Sequence, residues 1–512
     1  HNNKMSLTSF SLTAENITDL KDFLLASKKD VYGPNERLVI RVPHDAQSLI
    51  KLVLRLLNYY DIPTYYVIFA SNSDDIVNDV TISVSNNRDT SGTSVLHEGK
   101  LIDIAHTSQD DRINKYDRIG APSPTFCTIP WNSISITSTG TYRPCCLVQN
   151  NLNNENGREL NVNSGDSIED ARSSPAMVQL RKDLLRGLKP TQCSVCWDIE
   201  DAGGSSKRNL TLFEIEAPNH YDVWTDDKQL LSAVDLKLGN LCNLKCRICD
   251  TSSSSTFSKE VLLTMPMSER KGSAVQTDLK NGRWPKLNHF WDDISKHIDS
   301  IKLIEFTGGE PFMSPEHFSL LNTIIDKGRA DKISLHYNTN GTIFPQEYHM
   351  WQHFKQVVVA FSIDDIKERY EYQRSGAKWD LVTENIKLFK KIKQEYNNIK
   401  LEICVSVNVY NALYLVELFD WINTQAFDFV FWNIVYQREQ CSITSLPQKA
   451  KQEITKKIQS SNYSSQLNFI VTAMNHSDTH ADSFYADIEE FDSRRNESIS
   501  RTFPQLYKLI KR

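Results

Sequence analysis

The spacing Cys242-x3-Cys246-x2-Cys249, set directly after the strand-like run Val234 to Leu238, constrains this 512-residue chain more than any other feature. A cubane [4Fe-4S] cluster needs a ligand on each of its four irons, so three thiolates leave one iron open to a small molecule. Zinc usually takes four protein ligands in a closed site, and no nearby His or Cys supplies a fourth. The spacing therefore reads as an iron–sulfur site with one open iron, placed for chemistry rather than for structure.

A second motif lies downstream. Lys302 to Phe306 reads as a strand that runs straight into Thr307-Gly308-Gly309-Glu310-Pro311. Paired glycines let backbone approach a ligand closely, and the following carboxylate can accept hydrogen bonds from an ammonium group. Further strands are expected at Ser334 to Asn338, Val357 to Ile363, Leu401 to Val409 and Phe427 to Val435, each rich in β-branched or aromatic residues. Helical patterns at Phe318 to Lys327 and Leu381 to Lys393 separate them, which is a βα repeat. The strand ends carry polar residues: Asn338, Thr339 and Asn340, then Ser362 and Asp364, then Ser406 and Asn408. Barrels built this way place their active sites at that face.

The cysteine loop and the Gly-Gly-Glu-Pro motif together resemble the radical S-adenosylmethionine (SAM) superfamily. The resemblance implies an α/β fold built on a partial (β/α)6 barrel. It implies that the open iron chelates the amino and carboxylate groups of SAM, and that an electron splits the sulfonium to give a 5'-deoxyadenosyl radical, which takes a hydrogen atom from substrate. It implies a flavodoxin- or ferredoxin-type electron donor. By the same resemblance Gly308, Gly309 and Glu310 bind SAM, with Asn340, Ser362, Asp364 and Ser406 near its ribose and methionyl groups or near substrate. Arg374 falls where related enzymes hold a carboxylate-binding arginine.

Upstream lies another constellation: Cys127 and Cys145 with Gly140 between them, then Cys193 and Cys196. The pattern CX12GX4C, a gap, then CX2C is similar to the auxiliary-cluster modules called SPASM and twitch. Four thiolates suffice for one full [4Fe-4S] cluster; a four-cysteine zinc ribbon is the other reading of the same residues. Cys146 adjoins Cys145 and can replace it. Ile134 to Pro144 alternates like a hairpin with Thr139-Gly140 at the turn, which brings Cys127 and Cys145 together. The module stands before the barrel, whereas it usually follows. Trp131 and Trp197 flank these cysteines.

These motifs divide the chain into a small α/β domain (1–118), the auxiliary module (119–228), the barrel (229–440) and a C-terminal helical extension (441–512). In the first, Leu38 to Val42, Ala46 to Tyr59 and Thr64 to Ala70 read as strand, helix and strand. The polar tail from Ala481 is expected to close the open side of the barrel. Cys404 reads as a buried small hydrophobe in a strand. Cys441, after the last strand, is a candidate hydrogen-atom donor to a substrate radical. Net charge is −6, from 58 basic and 64 acidic residues interspersed, so nucleic acid is not an expected partner. No apolar run approaches the length of a membrane span. Ten cysteines, mostly in motif spacing, without a secretory leader point to a reducing cytoplasm. The expected function is hydrogen abstraction from a peptide, giving oxidation, cross-linking or epimerisation with help from the auxiliary cluster. The alternatives are the same chemistry on a sugar or nucleotide derivative, or a non-catalytic Fe-S or zinc scaffold.

Overall fold

The structure is a computed structural model. It describes residues 123, 125–201, 206–209, 230–435, 438–475 and 481–511, together with strand segments at 6–11, 36–41, 67–70, 80–81, 94–97 and 100–103. The chain forms two compact units, one of residues 1–126 with 217–223, the other of residues 127–216 with 224–512. In the first, strands Ser6–Ser11, Glu36–Arg41 and Val67–Ala70 pair in parallel, Val80–Thr81 adds antiparallel to the last, and Ser94–His97 pairs with Lys100–Asp103. The strand reading at Leu38 and Ala70 therefore agrees with the fold, while the helix expected at Ala46 to Tyr59 lies outside the described residues.

The second unit is organised by one sheet of eight strands: β1 (Ser133–Ile136), β2 (Tyr142–Arg143), β3 (Ala233–Lys237), β4 (Leu303–Thr307), β5 (Ser334–Thr339), β6 (Gln356–Ser362), β7 (Ile399–Val407) and β8 (Phe429–Ile434). Their order across the sheet is β8-β7-β6-β5-β4-β3-β1-β2. β3 to β8 are parallel in sequential order, with helices between them, which is the partial (β/α)6 barrel. Strand alternation assigns the faces. Ile304, Phe306, Leu335, Tyr337, Val357, Val359, Phe361, Ile403 and Val405 are buried in the hydrophobic core. Between them, Asp235, Glu305, His336, Glu402, Cys404 and Ser406 occupy the opposite, inner face. The helix Trp379–Glu395 shows why such segments are helical: Val382, Ile386, Phe389 and Ile392 form one buried stripe, and Phe389 meets Phe361 edge-on at 5.1 Å.

The expected hairpin is present. Ser135 pairs with Arg143 and Ile136 with Tyr142 in antiparallel register, and Gly140 turns between them at φ +83°. One of its relations was not foreseen: β1 also pairs in parallel with β3, so the hairpin extends the barrel sheet by two strands. Among the described residues no helix is long and apolar enough to cross a membrane.

Candidate active site

The cysteine loop leaves the C-terminal end of β3 and is tied to the Gly-Gly-Glu segment that leaves β4. Leu238 N donates to Thr307 O (2.9 Å), Gly309 N to Gly239 O (3.1 Å) and Glu310 N to Leu241 O (2.8 Å). The two glycines are required by this contact: a Cβ on Gly309 would lie 2.3 Å from Leu241 O, and one on Gly308, at φ +111°, would lie 2.6 Å from Leu238 N. The close approach that the motif implied is thus to the cysteine loop's own backbone.

Within the loop Cys242 and Cys246 are buried and Cys249 is half-buried. Burial, then the neighbouring Cys246, pushes the Cys242 thiol up to about 12, and burial raises Cys246 and Cys249 as well. Thiols clustered in a desolvated site hold their protons until a cation takes the thiolates, which is the donor chemistry an iron–sulfur cluster uses. Leu244 N points at Cys242 Sγ from 3.4 Å, a contact of the kind that tunes such clusters.

Glu310 is fully buried. Its carboxylate accepts from Thr339 Oγ1 (2.7 Å), Asn340 N (2.8 Å) and Phe312 N (3.3 Å), all neutral donors. Burial pushes it up to about 7 against those hydrogen bonds and the nearby Arg374 guanidinium. Asn340 also donates through Nδ2 to Asn243 Oδ1 in the cysteine loop (3.1 Å) and accepts at Oδ1 from Thr342. Its side chain therefore joins the two motifs.

The other expected residues divide. Asp364 is fully buried and bound from two sides, by Arg374 Nη2 (2.8 Å) and Ser406 N (2.8 Å). Burial alone would lower the pKa of Arg374, but Asp364 and then Cys246 outweigh it and raise it, while its buried Nε has no hydrogen-bond partner among the described residues. Ser362 and Ser406 sit half-buried at the ends of β6 and β7. Cys404 departs from its reading as a core hydrophobe: it is half-buried on the inner face, in register with Ser362 and Phe431. Cys441 is fully buried, with its thiol 3.6 Å from Arg247 O in the cysteine loop.

The upstream cysteines converge from three segments. Cys127 precedes the short helix Ile129–Asn132, Cys145 follows β2, and Cys193 and Cys196 sit at the start of the helix Ser194–Asp201. Buried arginines brace this arrangement: Arg172 Nη2 donates to Trp131 O (2.8 Å) and Arg181 Nε to Pro130 O (2.9 Å). Cys127, Cys145, Cys193 and Cys196 line one cavity with Trp197 and Lys207, while Trp131 belongs to the core. Among the described residues no three His, Cys, Asp or Glu side chains converge on a single metal ion. A cubane places one thiolate on each of four separate irons, so its ligands surround a volume rather than meet at a point; the four thiols around this cavity fit that requirement.

Cys146 faces the other way. Lys207 Nζ lies 3.3 Å from its sulfur, 2.8 Å from Glu305 Oε2 on β4 and 3.9 Å from Asp235 Oδ2 on β3. Burial alone would lower Lys207, but Cys146, Glu305 and Asp235 outweigh it and raise its pKa. The pair Cys145-Cys146 thus stands in the wall between the auxiliary cavity and the inner face. Sequence reading missed Asp235, Glu305 and Asn243. A signal existed for Asp235 and Glu305, since each is an acid at an inner-face position in an otherwise apolar strand.

Two family models match this arrangement: the radical SAM superfamily over residues 236–406, and an iron–sulfur cluster-binding domain, SPASM, over residues 127–197. Residues 236–406 thus carry a radical SAM domain. The SPASM module is N-terminal to the radical SAM domain. With these two domains come a [4Fe-4S] cluster, SAM and an auxiliary iron–sulfur cluster, and the thiol sets described above have the donors for them. Similar solved structures include native anSMEcpe with bound AdoMet, at 20% identity, covering 46% of this chain and 61% of that chain with TM-score 0.29. Another is Streptococcus suis SuiB bound to precursor peptide SuiA, at 15% identity, covering 54% and 60% with TM-score 0.29. The chain thus spans about three fifths of these proteins. No curated protein matches the chain.

Proposed function

We propose that this radical SAM protein cleaves SAM reductively and abstracts a hydrogen atom from a peptide. Cys242, Cys246 and Cys249 would hold the cluster with the open iron, and Cys127, Cys145, Cys193 and Cys196 the auxiliary one. When bound, cluster and SAM supply a 5'-deoxyadenosyl radical. The chain's own residues place it: Glu310 takes the SAM ammonium, and Arg374, held by Asp364, offers its unpartnered Nε to the carboxylate. Asn340 fixes the Gly-Gly-Glu segment against the cysteine loop. Ser362 and Ser406 present hydroxyl groups to the ribose or to substrate from the strand ends. The observation that carries this reading is the hydrogen-bonded junction of the three-cysteine loop with the buried Glu310, whose hydrogen-bond donors are all neutral.

A peptide substrate is supported by the far edge of the sheet. Among the described residues no strand pairs with the outer side of β8. Phe429 and Phe431 are 57% and 45% exposed there, in register with inner-face residues Glu402 and Cys404. An open edge with exposed aromatic rings suits an extended chain. The polar inner-face group of Asp235, Glu305, His336 and Lys207 favours a second reading, a small polar metabolite. For the working parts we keep the limits 1–118, 119–228, 229–440 and 441–512. Anaerobic reduction with SAM should yield 5'-deoxyadenosine, and the yield should vanish in the Cys242→Ala, Cys246→Ala, Cys249→Ala variant. No 5'-deoxyadenosine from cluster-loaded wild type would contradict the activity.

A further inference from the structure

The C-terminal segment, expected only to close the barrel, reaches the cysteine loop itself. Arg247 lies between Cys246 and Cys249 and its side chain is fully buried. Its Nη2 donates to Asp492 Oδ1 (2.7 Å) and Glu497 Oε2 (2.6 Å), and its Nε to Tyr372 O (3.2 Å). The guanidinium lies 3.6 Å from the centroid of the Tyr372 ring, with Phe491 at 5.5 Å on the helix Ala481–Arg495. Both carboxylates are themselves fixed. Asp492 accepts from Tyr372 Oη (2.8 Å) and Ile499 N (2.7 Å), and Glu497 from Ser375 Oγ (2.9 Å).

Two further links run in parallel. Arg495 Nη2 donates to Glu260 Oε2 (2.6 Å), whose other oxygen accepts from Lys245, also inside the cysteine loop (2.5 Å). Arg438 donates through Nη1 to Cys249 O (2.6 Å) and through Nη2 to Asp487 Oδ1 (2.9 Å). Main-chain bonds complete the attachment, from Arg247 N to Gln373 O (2.8 Å) and from Lys245 N to Ser375 O (3.0 Å).

A guanidinium stays charged when buried, and a buried ion pair contributes little net stability compared with apolar side chains of the same volume. What such a network does supply is fixed geometry, and a site for chemistry requires its ligands held within a fraction of an ångström. We propose that Asp492 and Glu497 are positioning residues for the cluster-bearing loop, acting through Arg247 to hold Cys246 and Cys249 in ligand geometry. The proposal rests on the reading of Cys242, Cys246 and Cys249 as cluster ligands.

The test uses cluster-loaded full-length protein. Iron release to a chelator is followed in wild type, in Asp492→Asn/Glu497→Gln, in Arg247→Met and in the triple combination. The electron paramagnetic resonance of the reduced cluster is recorded with and without SAM. Removing the carboxylates should speed release of the loop-bound half of the iron about tenfold and broaden the SAM-induced spectral change, leaving the auxiliary signal as it is. Arg247→Met should do the same, and the triple variant should be no worse than either, because all remove one coupled interaction. Arg247→Lys should restore part of the retention. Additive losses, or a carboxylate variant with wild-type release and spectrum, would overturn the proposal. A wild type that holds the iron but shows no spectral response to SAM would count against the proposed function instead, and the release comparison would still decide this one. If the double variant fails to fold, Glu497→Gln alone is measured, with a smaller shift in the same direction expected and unchanged release contradicting the proposal.

Discussion

The two cysteine sites are built on different principles. The barrel site takes its three thiols from eight consecutive residues and stiffens them from outside, through the Gly-Gly-Glu segment on one side and the Arg247 network on the other. The auxiliary site takes its four thiols from three segments, gathered by a hairpin, a short helix and buried arginines. A local site is written in spacing, and its precision depends on distant partners. A dispersed site depends on the fold to assemble at all.

Glycine substitutions sharpen the contrast most. In Gly309→Ala the new Cβ meets backbone at Leu241 O, which cannot yield without moving the cysteine loop. We expect loss of SAM cleavage by at least about hundredfold, equivalent to roughly 3 kcal/mol, as measured by 5'-deoxyadenosine yield. Gly140→Ala in the hairpin meets Asn161 and Asn163 side chains at 2.9 Å, with φ +83°. Side chains can turn away, so the expected cost is the left-handed backbone, about 1 to 2 kcal/mol, seen as a lower melting temperature with both clusters retained. Equal losses in the two variants would erase the distinction.

Next come the paired thiols. Cys145→Ala should remove most of the auxiliary iron, whereas Cys146→Ala should keep it, since Cys146 faces Lys207 and the inner face. Iron analysis of the two variants decides which sulfur is the ligand, and loss from Cys146→Ala alone would reverse the assignment.

Glu310 separates the sites electrostatically. Its folded pKa, about 7, lies above the ordinary 4.5, so its contribution to apoprotein stability is present in full below pH 4.5 and lost as pH rises through about 7. The size is on the order of 3 kcal/mol. Glu310→Gln should flatten that part of the stability–pH curve in chemical denaturation. In cluster-loaded protein the same variant should weaken SAM binding by roughly 10- to 100-fold, the value of a charge-assisted hydrogen bond, in a calorimetric titration.

The smallest effect belongs to Lys207, whose side chain is 29% exposed. Lys207→Met removes a positive charge beside the auxiliary thiols and should lower that cluster's midpoint potential by on the order of 40 mV, about 1 kcal/mol for one electron. A potential that stays put would mean the Glu305 and Asp235 partners cancel the charge at the cluster.

This difference also explains what was legible beforehand. The cysteine loop, Gly308 to Glu310 and all six barrel strands could be read because each is local: a spacing, a turn, an alternation. The hairpin was readable from Gly140 and its flanks, yet its pairing with β3 was not, because register between segments about a hundred residues apart leaves no trace in either one. Arg247 sits in plain view within the cysteine motif, but its partners Asp492 and Glu497 are polar residues in a polar tail, without periodicity to distinguish them. The placements of Cys404 and Cys441 were not legible, for one reason. Strand membership alone does not say which face a thiol takes, and a position after a strand does not say how deep it lies.

The central claim is two clusters on two independent cysteine sets. Its most direct test is iron and sulfide analysis with Mössbauer spectroscopy on anaerobically reconstituted protein, comparing wild type with the Cys242→Ala, Cys246→Ala, Cys249→Ala variant. The account predicts about eight irons falling to about four, as one three-thiolate and one four-thiolate cubane require. About four irons falling to none, with zinc retained, would contradict it and make the upstream module a zinc site.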